Sequence, residues 1–269
     1  MTRRTQRANA LTGLAAIVLA LGLVGTAGAD LVAADFNVGG ADTGFTNGWV
    51  GSNNVFPIDT NDLIYANYTI TQTGTTQRVY SGNATHTDRM DSRNLAAAMT
   101  DEIWFSYLVN VPASGNFAGL AFDSDTVPSR TVESYSHALS ELRVLMSATQ
   151  LVVDVDGDTL PAGTGTFAAD TTHLILGQMI VAAGNDTLKV WVDPNLTIVG
   201  SPSRLPAADY TSTAVDFADS IARLGVPNSD ATASNAVHID AIRLSDTETA
   251  FYDVAGATPP PNGMVFVVR

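Results

Sequence analysis

The chain has 269 residues, with 27 acidic against 13 basic side chains and a formal charge of −14 at pH 7. A surface of that sign repels phosphate backbones and anionic lipids, so nucleic acid is excluded as a partner class, while cations, neutral sugars and other proteins remain. The sequence has no cysteine, which rules out disulfides, zinc–thiolate sites and thiol catalysis and leaves burial alone to hold the fold.

The chain opens like an export signal. Arg3, Arg4 and Arg7 form a positive region, an apolar run follows from Leu11 to Val24, and Ala27-Gly28-Ala29 is a small-x-small cleavage site. The run is short of the roughly 20 residues a bilayer span requires, so cleavage after Ala29 is expected, with a product secreted, periplasmic or held at the cell surface. The arginine pair hints at twin-arginine export, but Thr5-Gln6 stand where apolar residues belong. Losing residues 1–29 removes three of the 13 basic groups and no acidic one, leaving 10 against 27 and a formal −17. Lys189 is the single lysine.

From there the apolar residues recur with period two. Between Glu102 and Val111, Ile103, Phe105, Tyr107, Val109 and Val111 share one face, and Glu102, Trp104, Ser106, Leu108 and Asn110 share the other. That alternation is a strand with one packed and one wetter face. Leu142–Met146, Leu151–Val155, Leu174–Val181, Leu188–Val192, Val237–Leu244 and Phe251–Val254 also read as strands, being rich in β-branched and aromatic residues. Clusters of Gly, Asn, Asp, Ser, Thr and Pro separate them, as at Pro112–Asn116, Asp156–Asp158, Ala183–Asp186 and Asp193–Asn195, and such groups turn the chain. Helix signals are few: Ala218–Leu224 predicts one or two turns ended by Gly225 and Pro227, and Leu95–Met99 is alanine-rich but short enough for a strand end. Residues 200–235 read as a long surface excursion within one domain spanning 30–257, and Thr258–Asn262 opens a stiff proline tail, 258–269. Many short strands at such intervals predict an all-β, two-sheet antiparallel sandwich of jelly-roll type.

Several segments resemble the concanavalin A-like lectin/glucanase (LamG-like) sandwiches of exported bacterial proteins. Asp35-Phe36 and Gly44–Trp49 look like their opening strand and glycine–tryptophan turn. Arg93-Asn94-Leu95 leading into Glu102–Val109 resembles their central strand, and Phe117–Phe122 the strand paired with it. His173–Gln178 followed by Asn185–Pro194 is the most specific likeness, and Val237–Leu244 resembles the closing strand. The resemblance implies a concanavalin A-like jelly roll and leaves function open, because that fold serves lectins, glycosidases, lyases and adhesion modules alike.

Catalytic signatures are sparse. A glycosidase needs two carboxylates roughly 5 to 10 Å apart across the scissile bond, yet the four glutamates, Glu102, Glu133, Glu141 and Glu248, form no Glu-x-Asp-x-x-Glu pattern. Neither Gly-x-Ser-x-Gly nor His-Glu-x-x-His occurs, and His86, His137, His173 and His238 are scattered and read as structural or surface groups. Gly163–Ala168 mimics a dinucleotide fingerprint but precedes a β-like segment, so it reads as a turn. No catalytic residue is assigned.

Two binding features remain. Asp154, Asp156 and Asp158 surround Gly157 and offer hard oxygen ligands to calcium, although Asp-Gly is equally a hairpin turn signal; Asp123-Ser124-Asp125 is a weaker site of the same kind. Trp104 and Trp191 each fall on the more polar face of a strand, where an indole serves as a platform for a sugar ring or, if loops cover it, as part of a second small core. The leading expectation is a non-catalytic binding or adhesion module with a glycan or cell-surface partner. A polysaccharide-degrading enzyme and a structural envelope or matrix component are the alternatives.

Overall fold

The computed structural model describes residues 31–34, 49–50, 58–59, 63–68, 76–79, 90–113, 117–124, 142–155, 158–160, 166–216, 219–227 and 237–259. The signal-like segment 1–29 and residues 260–269 of the tail lie outside the described residues, as do Asp35-Phe36 and most of the glycine–tryptophan turn.

Two antiparallel sheets stack face to face. The first contains β1 (Leu31–Ala34), β3 (Ile58–Asp59), β4 (Thr76–Val79), β6 (Glu102–Asn110), β11 (Thr172–Ile180), β12 (Asp186–Val192), β13 (Tyr210–Val215) and β15 (Val237–Ser245). Its order is β13-β12-β11-β6-β15-β4-β3, with β1 on β15. The second contains β2 (Trp49–Val50), β5 (Met90–Met99), β7 (Phe117–Asp123), β8 (Leu142–Ser147), β9 (Leu151–Val155), β10 (Asp158–Leu160) and β14 (Ile221–Pro227), in the order β10-β9-β8-β7-β14-β5-β2. The chain alternates between layers at β5, β6 and β7, runs a meander in each sheet, then returns as β14 and β15 into the middle of each. This is the two-sheet antiparallel sandwich of jelly-roll type that the strand pattern predicts.

The main core lies between the sheets. Ile103, Phe105, Tyr107 and Val109 of β6, Leu120 and Phe122 of β7, Leu142 and Val144 of β8, and Ile175 and Met179 of β11 are all fully buried there. The predicted inward face of β6 is therefore the observed one. In β15 the inward positions change phase, from Val237 and Ile239 to Ile242 and Leu244. An extra residue between Asp240 and Arg243 breaks the register with β6, and Ala241 takes a left-handed φ of 50° there. A bulge of this kind re-aims every side chain beyond it.

Three elements differ from the sequence reading. Residues 221–227 form β14 instead of helical turns: apolar side chains at Ile221, Leu224 and Val226 enter the interlayer core, and pairing with both β5 and β7 outweighs a weak local helix preference. The stretch 200–235 likewise contributes β13 and β14 to the two sheets, not one loop. Phe251–Val254, read as a strand, belongs to a short helix, α2 (Ala250–Ala255), closed by Gly256 in the left-handed conformation.

One glycine is required by packing across the sheet. Gly177 of β11 sits opposite Phe105 of β6, and a Cβ on Gly177 would lie 1.9 Å from the ring's Cζ. The ring cannot swing away, because it packs on Tyr107 and Phe122 at centroid distances of 6.5 and 5.0 Å. Tyr107 is itself fixed by donating to the Val144 carbonyl of the opposite sheet at 2.7 Å, and burial pushes its phenol pKa well above the ordinary value. Gly177→Ala is expected to destabilise the fold by about 1–3 kcal/mol, the usual range for overpacking a core. Urea unfolding measures it, and adding Phe105→Leu should recover part of the loss.

Candidate ligand cleft

The outward face of the first sheet is also apolar. Trp104 and Leu108 of β6, Leu174 and Leu176 of β11 and Trp191 of β12 lie on it, all buried. Three pieces cover them: Leu63 and Tyr68 from residues 63–68, Leu196 and Val199 from α1 (Leu196–Val199), and Phe251, Val254 and Ala255 from α2. Polar atoms fasten this cover to the sheet. The Tyr68 and Ser106 hydroxyls lie 2.9 Å apart and 3.0 and 2.8 Å from the Val254 carbonyl oxygen. Trp191 Nε1 donates to the Pro206 carbonyl at 2.9 Å, and the Val192 amide donates to Asp209 at 2.8 Å.

The two tryptophans singled out in the sequence are thus brought together, but as part of a second core. Their rings stack at 5.8 Å with planes 14° apart, and Phe251 meets Trp104 edge-on at 5.1 Å. Trp104 is 3% exposed and Trp191 5%, so neither presents an open ring face for a sugar. Of the two readings of these residues, the covered core is the one the geometry matches.

The rim of Trp104 nonetheless borders a cleft of about 380 Å³. One wall is the turn from β5 into β6, with Asp101 and Glu102. The other is the segment from β15 into α2, with Asp246, Glu248, Phe251 and Tyr252, and Pro202 closes one end. Asp101 makes the tight switch between sheets in a left-handed conformation, φ 62°, which aspartate tolerates better than most residues. Glu102 is held in place: its Oε1 accepts from Trp104 Nε1 and from Gln178 Nε2, each at 2.7 Å. The facing wall is braced by Asp253, whose carboxylate accepts from the hydroxyls of Ser245, Thr247 and Thr249. Glu102 and Glu248, two of the four glutamates, are exposed at this cleft. Tyr252 is not legible as a site residue when 251–254 is read as a strand, and Glu248 carries no local signal that links it to Glu102. Phe251, Val254 and Ala255 at helical spacing before Gly256 are the signal that identifies α2.

The aspartates proposed for calcium are placed differently. Val155 pairs with Asp158 across residues 156–157, so β9 and β10 form the expected hairpin. Asp154 is buried and forms an ion pair with Arg143, directly across on β8. A calcium ion there would have to displace a guanidinium. Asp156 and the side chain of Asp158 lie outside the described residues. Asp123 of the weaker site is likewise buried and pairs with Arg223 at 2.9 Å. Among the described residues, no group of three or more His, Asp or Glu is placed to hold a metal ion.

His173 is structural, as the sequence suggests. Nδ1 lies 2.7 Å from Asp193 Oδ2 and Nε2 lies 2.9 Å from the Ala168 carbonyl, with Phe167 edge-on to the ring. Both nitrogens face acceptors, so the doubly protonated ring fits best. Burial works against that charge, but the bonds to Asp193 and Ala168 and the charge of Asp193 prevail and raise the pKa. Asp193 also accepts from the Leu174 amide at 2.9 Å, so the imidazolium helps bolt the start of β11 to the turn that leads into α1. With a raised folded pKa, this stabilisation is complete below the ordinary histidine value of about 6.5 and is lost as pH rises through the folded value. Ordinary carboxylates do not titrate in that window. The urea midpoint of the native chain should therefore fall as pH rises above about 6.5, with a flatter profile in His173→Gln.

Neither a protein-family model nor a curated protein sequence matches the chain. Solved structures with a similar outline include the cellulose-induced protein Cip1, with 12% identity, 80% of this chain and 97% of that chain covered and a TM-score of 0.46. The carbohydrate recognition domain of Emp47p gives 12%, 79%, 93% and 0.44 for the same quantities. Alginate lyase Aly36B gives 11%, 80%, 96% and 0.42. Likeness at this level bears on neither ligand nor activity.

Proposed function

We propose that the chain is an exported, non-catalytic binding or adhesion module of the LamG-like kind that takes a glycan in the cleft between Glu102 and Tyr252. The observation that carries this reading is the cleft itself. The half-buried ring of Tyr252, with the buried Phe251 and Trp104 behind it, stands beside a carboxylate that two fixed donors hold in position. A sugar ring uses the same pairing, with its apolar face on an aromatic ring and its hydroxyls on oriented acceptors. Both sides of the cleft are braced before any ligand arrives, which lowers the ordering cost of binding.

One observation favours a second reading, a polysaccharide hydrolase, because Glu102 and Glu248 line the same cleft from two separate stretches of chain. A general acid of this type is normally kept protonated by burial, whereas both glutamates are exposed.

A glycan array probed with and without calcium, followed by titration of the retained glycan, tests the proposal. Tyr252→Ala is expected to weaken binding about tenfold, the loss of roughly 1.4 kcal/mol of stacking. Retention unchanged by that substitution would move the site elsewhere, and steady release of shortened products from a polysaccharide panel would favour the hydrolase. For export, N-terminal sequencing of the protein recovered outside the producing cytoplasm should begin at Asp30.

A further inference from the structure

We propose that His173 is a proton-held latch on the strap that runs from Asp193 to Pro206: the imidazolium fastens the strap over the tryptophan pair, and loss of its proton lets the strap loosen. The device belongs to the second core and operates whether or not the cleft takes a glycan.

Residues 194–205 have little of their own to hold them. α1 is a single turn with no side-chain cap and no acidic residue in its first turn, and a helix that short does not persist by itself. Asp193 and Gly200 bound it in left-handed conformations, φ 56° and 59°, and Asp193 carries the Cβ that this conformation disfavours. Leu196, Val199 and Leu205 reach the cluster that holds Trp191. Thr197, Pro202, Ser203 and Arg204 are exposed, and so is Ile198, at 72%.

The strap is therefore fixed at its ends. At the far end the Pro206 carbonyl accepts from the Trp191 indole and Asp209 accepts from the Val192 amide. At the near end the fastenings meet in Asp193. Its carboxylate takes His173 Nδ1 at 2.7 Å and the Leu174 amide at 2.9 Å. Its own amide donates to the Leu174 carbonyl at 2.8 Å, and its carbonyl accepts from the Tyr65 phenol of the neighbouring covering strip at 2.9 Å.

The ring makes this end conditional. Nδ1 faces a carboxylate and Nε2 faces the Ala168 carbonyl. Both are acceptors, and a neutral imidazole has one N–H. Whichever nitrogen keeps it, the other turns a lone pair toward an oxygen. The bridge between residues 168 and 193 is cut, and Asp193 loses a charge-assisted partner, a bond roughly twice as strong as a neutral one. Asp193 supplies the charge that bears on the ring, Phe167 lies edge-on to it, and Tyr65 is the titratable group that meets Asp193 from another element. Burial and the charge of Asp193 raise the Tyr65 phenol above its ordinary range, so it keeps its proton where histidine titrates. The strap is thus closed at acid pH and loosens as pH rises through the folded histidine value. Because Pro202 also lines the cleft beside Trp104, the same motion alters the end of that recess.

Hydrogen exchange read by mass spectrometry on the full chain tests the latch, with rates corrected for the intrinsic pH dependence of exchange. From about pH 6 to about pH 9, protection of amides 196–205 should fall about tenfold, while the β7–β8 pairing in the other sheet stays level. In His173→Gln, protection of the strap should already be low at about pH 6 and vary little with pH. Asp193→Asn retains a residue that tolerates the left-handed backbone; it should lower the pKa of the His173 ring, followed by its imidazole proton resonances, and open the strap at lower pH. Level protection of 196–205 across the series in the native chain would overturn the latch. A pH-dependent loss that persists unchanged in His173→Gln would do the same by placing the titrating group elsewhere, and a loss confined to residues 166–170 would overturn the assignment to the strap.

Discussion

A sheet that is apolar on both faces must be covered twice, and the first sheet of this protein is such a sheet. The inward side chains of β6 are matched by the second sheet, as in any sandwich. Its outward side chains, Trp104 and Leu108 with Leu174, Leu176 and Trp191 beside them, would otherwise expose a broad apolar surface to water. The chain meets this demand with pieces too short to be stable alone: residues 63–68, a single turn at α1 and six residues at α2. They persist because each brings one or two apolar anchors to the tryptophan pair and because hydroxyl and carbonyl contacts satisfy the polar atoms that come with them.

The cleft is a by-product of that covering. The segment between β15 and α2 brings Phe251 onto Trp104 and lines one cleft together with the β5–β6 turn. Its lining takes Tyr252 from the cover and carboxylates from both stretches, Asp101 and Glu102 on one and Asp246 and Glu248 on the other. Glu102 belongs to both worlds: it begins the central strand and also accepts the indole hydrogen of a buried tryptophan. Packing of the second core and presentation of the cleft are therefore coupled through one side chain.

The sequence revealed the strands of the two meanders and of β6 and β15 well, because period-two alternation is a strong local signal when one face enters a core. The phase of β6 was read correctly at every inward position. Local signals failed where tertiary contacts decide the outcome. Residues 218–224 look mildly helical alone, yet Ile221–Pro227 is a central strand because β5 and β7 flank it. Residues 251–254 look β-like by composition and become a helix because Phe251 and Val254 must fall on one side to reach Trp104. Trp104 and Trp191 were identified as a pair worth following, yet alternation alone places them on a wet face, since nothing local encodes what later segments will lay over that face. The acidic and aromatic lining of the cleft was illegible for the same reason, being assembled from stretches about 145 residues apart in the chain.

The paired charges on the outer side of the second sheet have a consequence for how the chain avoids folding wrongly. Arg143 stands directly across from Asp154, and Arg223 directly across from Asp123. A slip of one position in either pairing would turn an arginine or an aspartate inward, stranding a lone charge among leucines and valines. Uniformly apolar strands could slide past one another at little penalty. Here a shifted hairpin is unfavourable as soon as the layers close. In a chain without cysteine, these buried opposites help hold the register of the second sheet.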